Sequence, residues 1–270
     1  IQYSMPEWIL NLWLKAYDSD IVEQMLQAFQ REIPLTIRCN LRMVTPKQLK
    51  EHLEVEGVTV KVHPYLEYAF HISGFDYLGD LESFQNGEFS VQDISSMLVS
   101  ELAGPKEGDY VIDVCAAPGG KSLHMAEKLN GSGHVEARDL TEYKVSLIEE
   151  NIERMGLCNV TAVCQDASVY DEKSAGKADI VIADLPCSGL GVLGKKTDLK
   201  YKASPEGIVS LVKLQRKILS CAASYVKPGG ELLYSTCTVN PKENIENVHW
   251  FLKEFPEFYA NDIREDLCLE

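Results

Sequence analysis

With 270 residues, 45% of them hydrophobic and 25% charged, the chain can bury at least one full core, and two domains or one with an extension are expected. Its net charge of −15 excludes a protein that coats nucleic acid through its overall field, because that mode needs Lys and Arg to neutralise phosphates. No apolar run reaches bilayer-spanning length, and the opening "IQYSMPEWIL" lacks the basic start and cleavage site of a signal peptide, so a cytoplasmic protein is expected.

In chain order, residues 6–30 read as helices with Trp8, Leu12, Ala16, Val22, Leu26 and Phe29 on one face. "PLTIRCNL", "VTVKVH" and "AFHISG" read as strands, with a helix from Pro46 to Leu53 between the first two. Gly, Asn and polar residues around 79–90 mark a junction. The expected division is therefore a small α+β N-terminal domain, 1–84, and a second domain, 85–270.

From about residue 108 short β-rich runs alternate with helical patterns: "YVIDVC", "HVEARD", "TAVCQD", "DIVIAD" and "ELLYSTC". This is the βαβ signature of a parallel sheet covered by helices, an α/β fold. Val145, Ile148, Ile152 and Met155 recur at helical spacing after Thr141, with Gly156 closing the run. A long amphipathic helix follows Ser204-Pro205. Ile245, Val248, Leu252 and Phe255 mark the last helix, with its start read at Asn240-Pro241-Lys242-Glu243.

Open parallel sheets bind ligands outside the carboxyl ends of their strands. Those ends carry Asp113, Cys115, Asp139, Asp166, Asp184, Cys187 and Cys237. "CAAPGGKS" fails as a Walker A loop because Cys115 stands where its first Gly belongs, and the dinucleotide fingerprint is absent. What remains, over Ala116, Ala117, Pro118, Gly119, Gly120 and Lys121, is a tight turn of small residues. There a backbone can approach a ligand and a helix N-terminus can meet its anionic end. Asp139, closing the second strand, is placed to take ribose hydroxyls. A nucleoside carrying a carboxylate suits this pair, and S-adenosylmethionine fits.

The acceptor is read from the cysteines. Methyltransferases of exocyclic amines commonly carry Asp/Asn-Pro-Pro-aromatic after the fourth strand; this chain has Asp184-Leu185-Pro186-Cys187. Carbon-5 of a pyrimidine becomes nucleophilic enough only after a thiolate adds to carbon-6, which suits a cysteine at a strand end. Strands four and five are neighbours in such a sheet, so Cys187 and Cys237 are expected in one cleft. The start of the helix after Asn240 would favour the Cys237 thiolate through its dipole.

"QDISSMLVSEL", "DVCAAPGGKS", "ARDLTEYKVSLIEENIERMG", "DLPCSGLGVLGKKTDLKY" and "YSTCTVNPKENIENV" resemble the successive motifs of RNA cytosine-5 methyltransferases of the Sun/RsmB type, over roughly residues 85–255. The stretch from "YSMPEWILNLWLKAY" to "PLTIRCNLRMVTPKQLKEHLEVEGVTV" is similar to the small domain that precedes the catalytic one in that family. The resemblance implies a Rossmann-like S-adenosylmethionine-dependent methyltransferase sheet with that small domain. It implies Cys237 as nucleophile, Cys187 as the group that frees the enzyme, and Asp184 as a contact to the cytosine. Residues 116–121, Asp139, Asp166 and Asp184 would line the cofactor site, with Asp166 near the adenine and Lys121 beside the methionine end or paired with an acidic neighbour.

The substrate implied is RNA, small-subunit ribosomal RNA by that likeness. A tRNA cytosine, an exocyclic amine and a non-catalytic RNA-binding assembly role stand as alternatives. RNA is expected to enter across residues 187–230, where eight Lys or Arg face two acidic residues. A monomer without metal or membrane attachment is expected, and a chain incomplete at both ends. The remaining cysteines, 39, 115, 158, 164, 221 and 268, are assigned to packing, and no histidine is given a role.

Overall fold

The structure is a computed structural model and describes residues 3–263. Helices α1 (Glu7–Leu14) and α2 (Ser19–Ala28) come first, and they bury Ile9, Trp13, Val22 and Leu26. The apolar stripe of α1 therefore differs from the one expected. Ile9 and Trp13 are fully buried, Trp8 and Leu12 are half-buried, and Ala16 lies exposed beyond the helix. Trp13, the larger anchor, packs its ring against Phe29 at 5.9 Å between centroids.

Next come β1 (Leu35–Cys39), α3 (Pro46–Val55), β2 (Thr59–Val62), β3 (Ala69–Ser73), α4 (Glu82–Gln85) and β4 (Phe89–Val91). The strands form an antiparallel sheet in the order β2-β3-β1-β4, with Ile37 opposite Phe70 on one side and Val91 on the other. A capping box starts α3: the Thr45 hydroxyl accepts from the Gln48 N–H, and the Gln48 side chain accepts from the Thr45 N–H. The stretch 79–90, read from the sequence as loop, contains α4 and β4, and β4 completes the sheet through its pairing with β1. The Arg154 guanidinium fixes this stretch by donating to the Phe84 and Phe89 carbonyls at 2.9 and 3.0 Å.

The remaining elements are α5 (Ile94–Ala103), β5 (Tyr110–Asp113), α6 (Gly120–Lys128), β6 (His134–Asp139), α7 (Glu142–Arg154), β7 (Val160–Cys164), β8 (Ala178–Asp184), α8 (Leu199–Lys202), α9 (Pro205–Tyr225), β9 (Val226–Ser235) and α10 (Ile245–Glu254). The second sheet runs β7-β6-β5-β8-β9, and β5 pairs in parallel with both β6 and β8. This is the expected Rossmann-like methyltransferase sheet. Its core is Val111, Val135, Ile180 and Ile182 with Leu123, Met125 and Ala126 of α6.

Contacts gather the chain into two compact units: a larger one of 34–184, 221–233 and 262–263, and a smaller one of 3–33, 185–220 and 234–261. In the smaller unit the opening helices share a core with Leu190, Leu193 and Ile208. The division at 84/85 follows chain order and stands as a proposal. Among the described residues no helix is long and apolar enough to cross a membrane.

Two sequence readings near the end of the chain change. Pro241–Glu243 forms a single 3₁₀ turn, and α10 begins only at Ile245, because Asn244 sits outside helical geometry at φ −119°, ψ −101°. The long-helix dipole expected just after Cys237 is therefore absent there. The face of α10 is also turned: Asn247 and Phe251 are buried, while Ile245 is 51% exposed.

Candidate active site

In the larger unit β5 ends at Asp113, whose carboxylate is almost wholly buried and accepts from Ser122 Oγ at 2.6 Å and the Cys115 N–H at 3.3 Å. Burial pushes its pKa up to about 6. The turn Ala116-Ala117-Pro118-Gly119-Gly120 then leads into α6 through a cis Ala117–Pro118 bond. Gly119 caps the helix at φ +108°, a conformation that favours glycine, and no side chain occupies the cap. The first N–H groups of α6 thus lack intrahelical partners, as an anion site requires.

Asp139, nearly buried at the end of β6, accepts from the Ala117 N–H at 3.0 Å, the Leu140 N–H at 2.7 Å and Lys144 Nζ at 2.9 Å. It clamps the small-residue turn to the second strand. A carboxylate offers about four lone-pair sites, so one remains for a ribose hydroxyl, and a second opens if the half-exposed Lys144 swings away. Asp166 lies two residues beyond β7 and accepts from the Ser168 N–H at 2.8 Å. Lys121 Nζ reaches Asp184 Oδ2 at 2.7 Å and Ser96 Oγ at 3.4 Å. Of its two readings the acidic pairing is realised, and it fixes the carboxylate at the end of β8. The donor set fits a nucleoside with a carboxylate end: unhindered helix N–H groups, a turn without bulky side chains, and acidic residues at the strand ends.

In the smaller unit the two remaining candidates come together. Cys187 Sγ lies 3.1 Å from Cys237 Sγ, both are free thiols, and the Cys237 N–H donates to Cys187 Sγ at 3.3 Å. The hydrogen bond to Cys237, followed by burial, holds the Cys187 pKa far above the usual thiol range. Gly191 passes close beneath the pair: its N–H donates to the Cys237 carbonyl at 3.0 Å, and a Cβ there would stand 2.9 Å from that oxygen.

Sequence reasoning read Glu243 only as a first-turn acid. It is fully buried, and it accepts from the Ser188 N–H (2.8 Å), Ser188 Oγ (2.6 Å), Asn240 Nδ2 (2.9 Å) and Gln215 Nε2 (3.2 Å). This single carboxylate joins the loop of Cys187, the loop of Cys237 and α9. Its place six residues after Cys237 was the signal in the sequence, since Ser188 and Gln215, two of its three partners, are far off in the chain.

Other expectations shift with the contacts. Within the basic stretch Lys202 pairs with Asp198, Lys227 with Asp179, and Arg216 Nε donates to Asn247 Oδ1, so these cations are engaged within the protein. Cys39 is buried and Cys115 mostly so, with both thiols pushed up to about 12 by burial. Cys158 and Cys164 are exposed, so packing does not account for them; Cys268 lies outside the described residues.

A family model for the 16S rRNA methyltransferase RsmB/F matches residues 100–266, and the RsmF/B-like ferredoxin-like domain matches residues 5–75. The chain is 38% identical over 268 residues to the probable ribosomal RNA small subunit methyltransferase B of Bacillus subtilis, covering 99% of this chain and 59% of that protein. Among solved structures, PH0851 superimposes with a TM-score of 0.89 at 31% identity, over 93% of this chain and 57% of its own. NSun6 from Pyrococcus horikoshii with SFG shares the fold, with a TM-score of 0.84 at 22% identity over 94% of this chain and 88% of its own. With the motif order, the parallel sheet and the ferredoxin-like domain in agreement, the chain belongs to the 16S rRNA methyltransferase RsmB/F family.

Proposed function

We propose that this protein methylates carbon-5 of a cytosine in small-subunit ribosomal RNA through a covalent bond to Cys237. The observation that supports this most directly is the pair of sulfurs 3.1 Å apart. The thiolate is the nucleophile, and a neighbouring thiol within hydrogen-bonding distance can donate to it. S-adenosylmethionine, when bound, would supply an electrophilic methyl group from its sulfonium, the sulfur keeping the bonding pair and leaving as a neutral thioether. The N–H groups at the start of α6 would hold its anionic end, and Asp139 its ribose, with Asp166 beside the adenine.

Cys237 Sγ forms a bond to carbon-6, and the displaced π electrons make carbon-5 the nucleophile that takes the methyl. Loss of the carbon-5 proton to a base then expels the sulfur, restoring the ring double bond and the free thiolate. Cys187 assists this release, and Asp184, held by Lys121, would hydrogen-bond the cytosine. The family match to ribosomal RNA enzymes supports the substrate, and the thiol pair supports carbon-5 over an amine acceptor.

The test is methyl transfer from labelled S-adenosylmethionine to ribosomal RNA, followed by nucleoside analysis. The label should appear in 5-methylcytidine. Cys237→Ala should abolish transfer with no adduct, whereas Cys187→Ala should accumulate a protein–RNA species that survives denaturing electrophoresis. Normal methylation by both variants would overturn covalent catalysis in favour of an amine acceptor.

A further inference from the structure

Trp8 and Leu12 form the apolar pair of α1 that its core leaves half exposed. They line a cavity of about 290 Å³, walled opposite by Pro205 and Ile208 of α9, with Asn11, Lys15 and Lys242 completing the lining. Every lining residue belongs to the smaller unit. Lys15 and Lys242 are exposed, and neither ammonium group has an ion-pair or hydrogen-bond partner among the described residues. That is unusual company for two cations in a chain with 41 acidic residues against 26 Lys and Arg.

We propose that this cavity holds the base and phosphate of an RNA nucleotide flanking the cytosine that Cys237 attacks. The inference rests on the RNA reading above and adds a site to it. An indole among aliphatic walls is a stacking platform for a base of any identity, and Asn11 brings an amide that can meet a base edge. Two unpaired ammonium groups complement a phosphate. A protein partner fits less well, because lysine is depleted at the centres of protein interfaces.

Position supports the same occupant. Lys242 follows Cys237 by five residues, so their Cα atoms are at most about 18 Å apart. Tyr17, just beyond α1, donates its hydroxyl to the Val239 carbonyl at 2.6 Å, fastening the opening helices to the loop that carries Cys237. A strand that presents its cytosine to Cys237 then passes the cavity within a few nucleotides.

The probe is a single-stranded oligoribonucleotide containing a cytosine that the wild-type protein methylates, together with versions in which each flanking position in turn is abasic. Wild type should bind one abasic version more weakly than the rest. Trp8→Ala should bind the intact strand about tenfold more weakly, should no longer distinguish that abasic version, and should keep its affinity for S-adenosylmethionine. Trp8→Phe should recover most of the loss. Because Trp8 also touches the core, the exposed pair Lys15→Gln/Lys242→Gln provides an independent reading: the slope of log affinity against log salt should fall by about 1.4.

RNA affinity and salt slope unchanged in these variants, while wild type methylates normally, overturn the cavity and leave the RNA reading intact. The same holds if the variants change only the oligomeric state. A wild type that binds and methylates no RNA overturns the RNA reading, and the cavity with it.

Discussion

Asp113 places a pH-dependent burden on the fold. Its ordinary pKa is 3.8, and burial raises it to about 6 in the native protein. Below about pH 4 the group is neutral in both states and contributes nothing. As pH rises from about 4 to about 6 the unfolded chain gives up this proton while the folded one retains it, so stability falls, by about 3 kcal/mol at most from this group. Asp113→Asn keeps an acceptor for Ser122 Oγ and lacks the charge. In urea unfolding its midpoint should therefore gain on that of wild type between pH 4 and pH 7, and a difference that stays constant over that range contradicts the assignment. Spacing in the sequence identified Asp113 as a strand-end acid. Its altered proton affinity came from the lid of β-sheet and α6 packed over it, which a local reading does not contain.

At the scale of elements, the thiol pair depends on how three segments are tied. Ser188 follows Cys187, Asn240 lies three residues after Cys237, and Gln215 projects from α9; all donate to Glu243. Glu243→Ala would leave these donors unpaired in a fully buried place, at a cost on the order of 3 kcal/mol. If Cys237 is the nucleophile as proposed, Glu243 is a positioning residue that acts through the two cysteine loops. The variant should lower the thermal midpoint and slow formation of the Cys237 adduct while S-adenosylmethionine affinity, measured by calorimetry, stays near that of wild type. Loss of cofactor affinity with normal adduct formation would sink this role. The long helix after Ser204-Pro205, the strand "HVEARD" and the helix after Thr141 were legible because each is set by local period and capping. The break at Asn244 was not, since Asn244 Nδ2 leaves the helix to donate to the Thr238 carbonyl at 2.7 Å.

On the scale of the molecule, the larger unit joins its two sheets' elements through a buried ion pair. Arg38 of β1 meets Glu127 of α6 with side chains 1% and 5% exposed, and Arg38 Nε also donates to Gln92 Oε1 at 2.6 Å. Such a pair contributes little net stability, but removing one member strands the other charge, at a cost of about 3–5 kcal/mol. Glu127→Leu should therefore lower the thermal midpoint more than the double variant Arg38→Met/Glu127→Leu does. If the double variant is the less stable of the two, the pair is a net source of stability rather than a matched burden.

By itself the sequence determined the parallel sheet, the order of its helices, the turn at 116–121 and the acids at the strand ends. Each of these is encoded in the period of apolar residues and in small or capping residues within a few positions of one another. Tertiary structure alone decided that Lys121 holds Asp184, that Glu243 secures both cysteine loops, and that Ile9 and Trp13 rather than Trp8 and Leu12 fill the core. It also decided that the sulfurs of Cys187 and Cys237, fifty residues apart, lie within hydrogen-bonding distance. These depend on which partner, distant in sequence, comes to lie opposite each side chain, and neither local period nor composition carries that information.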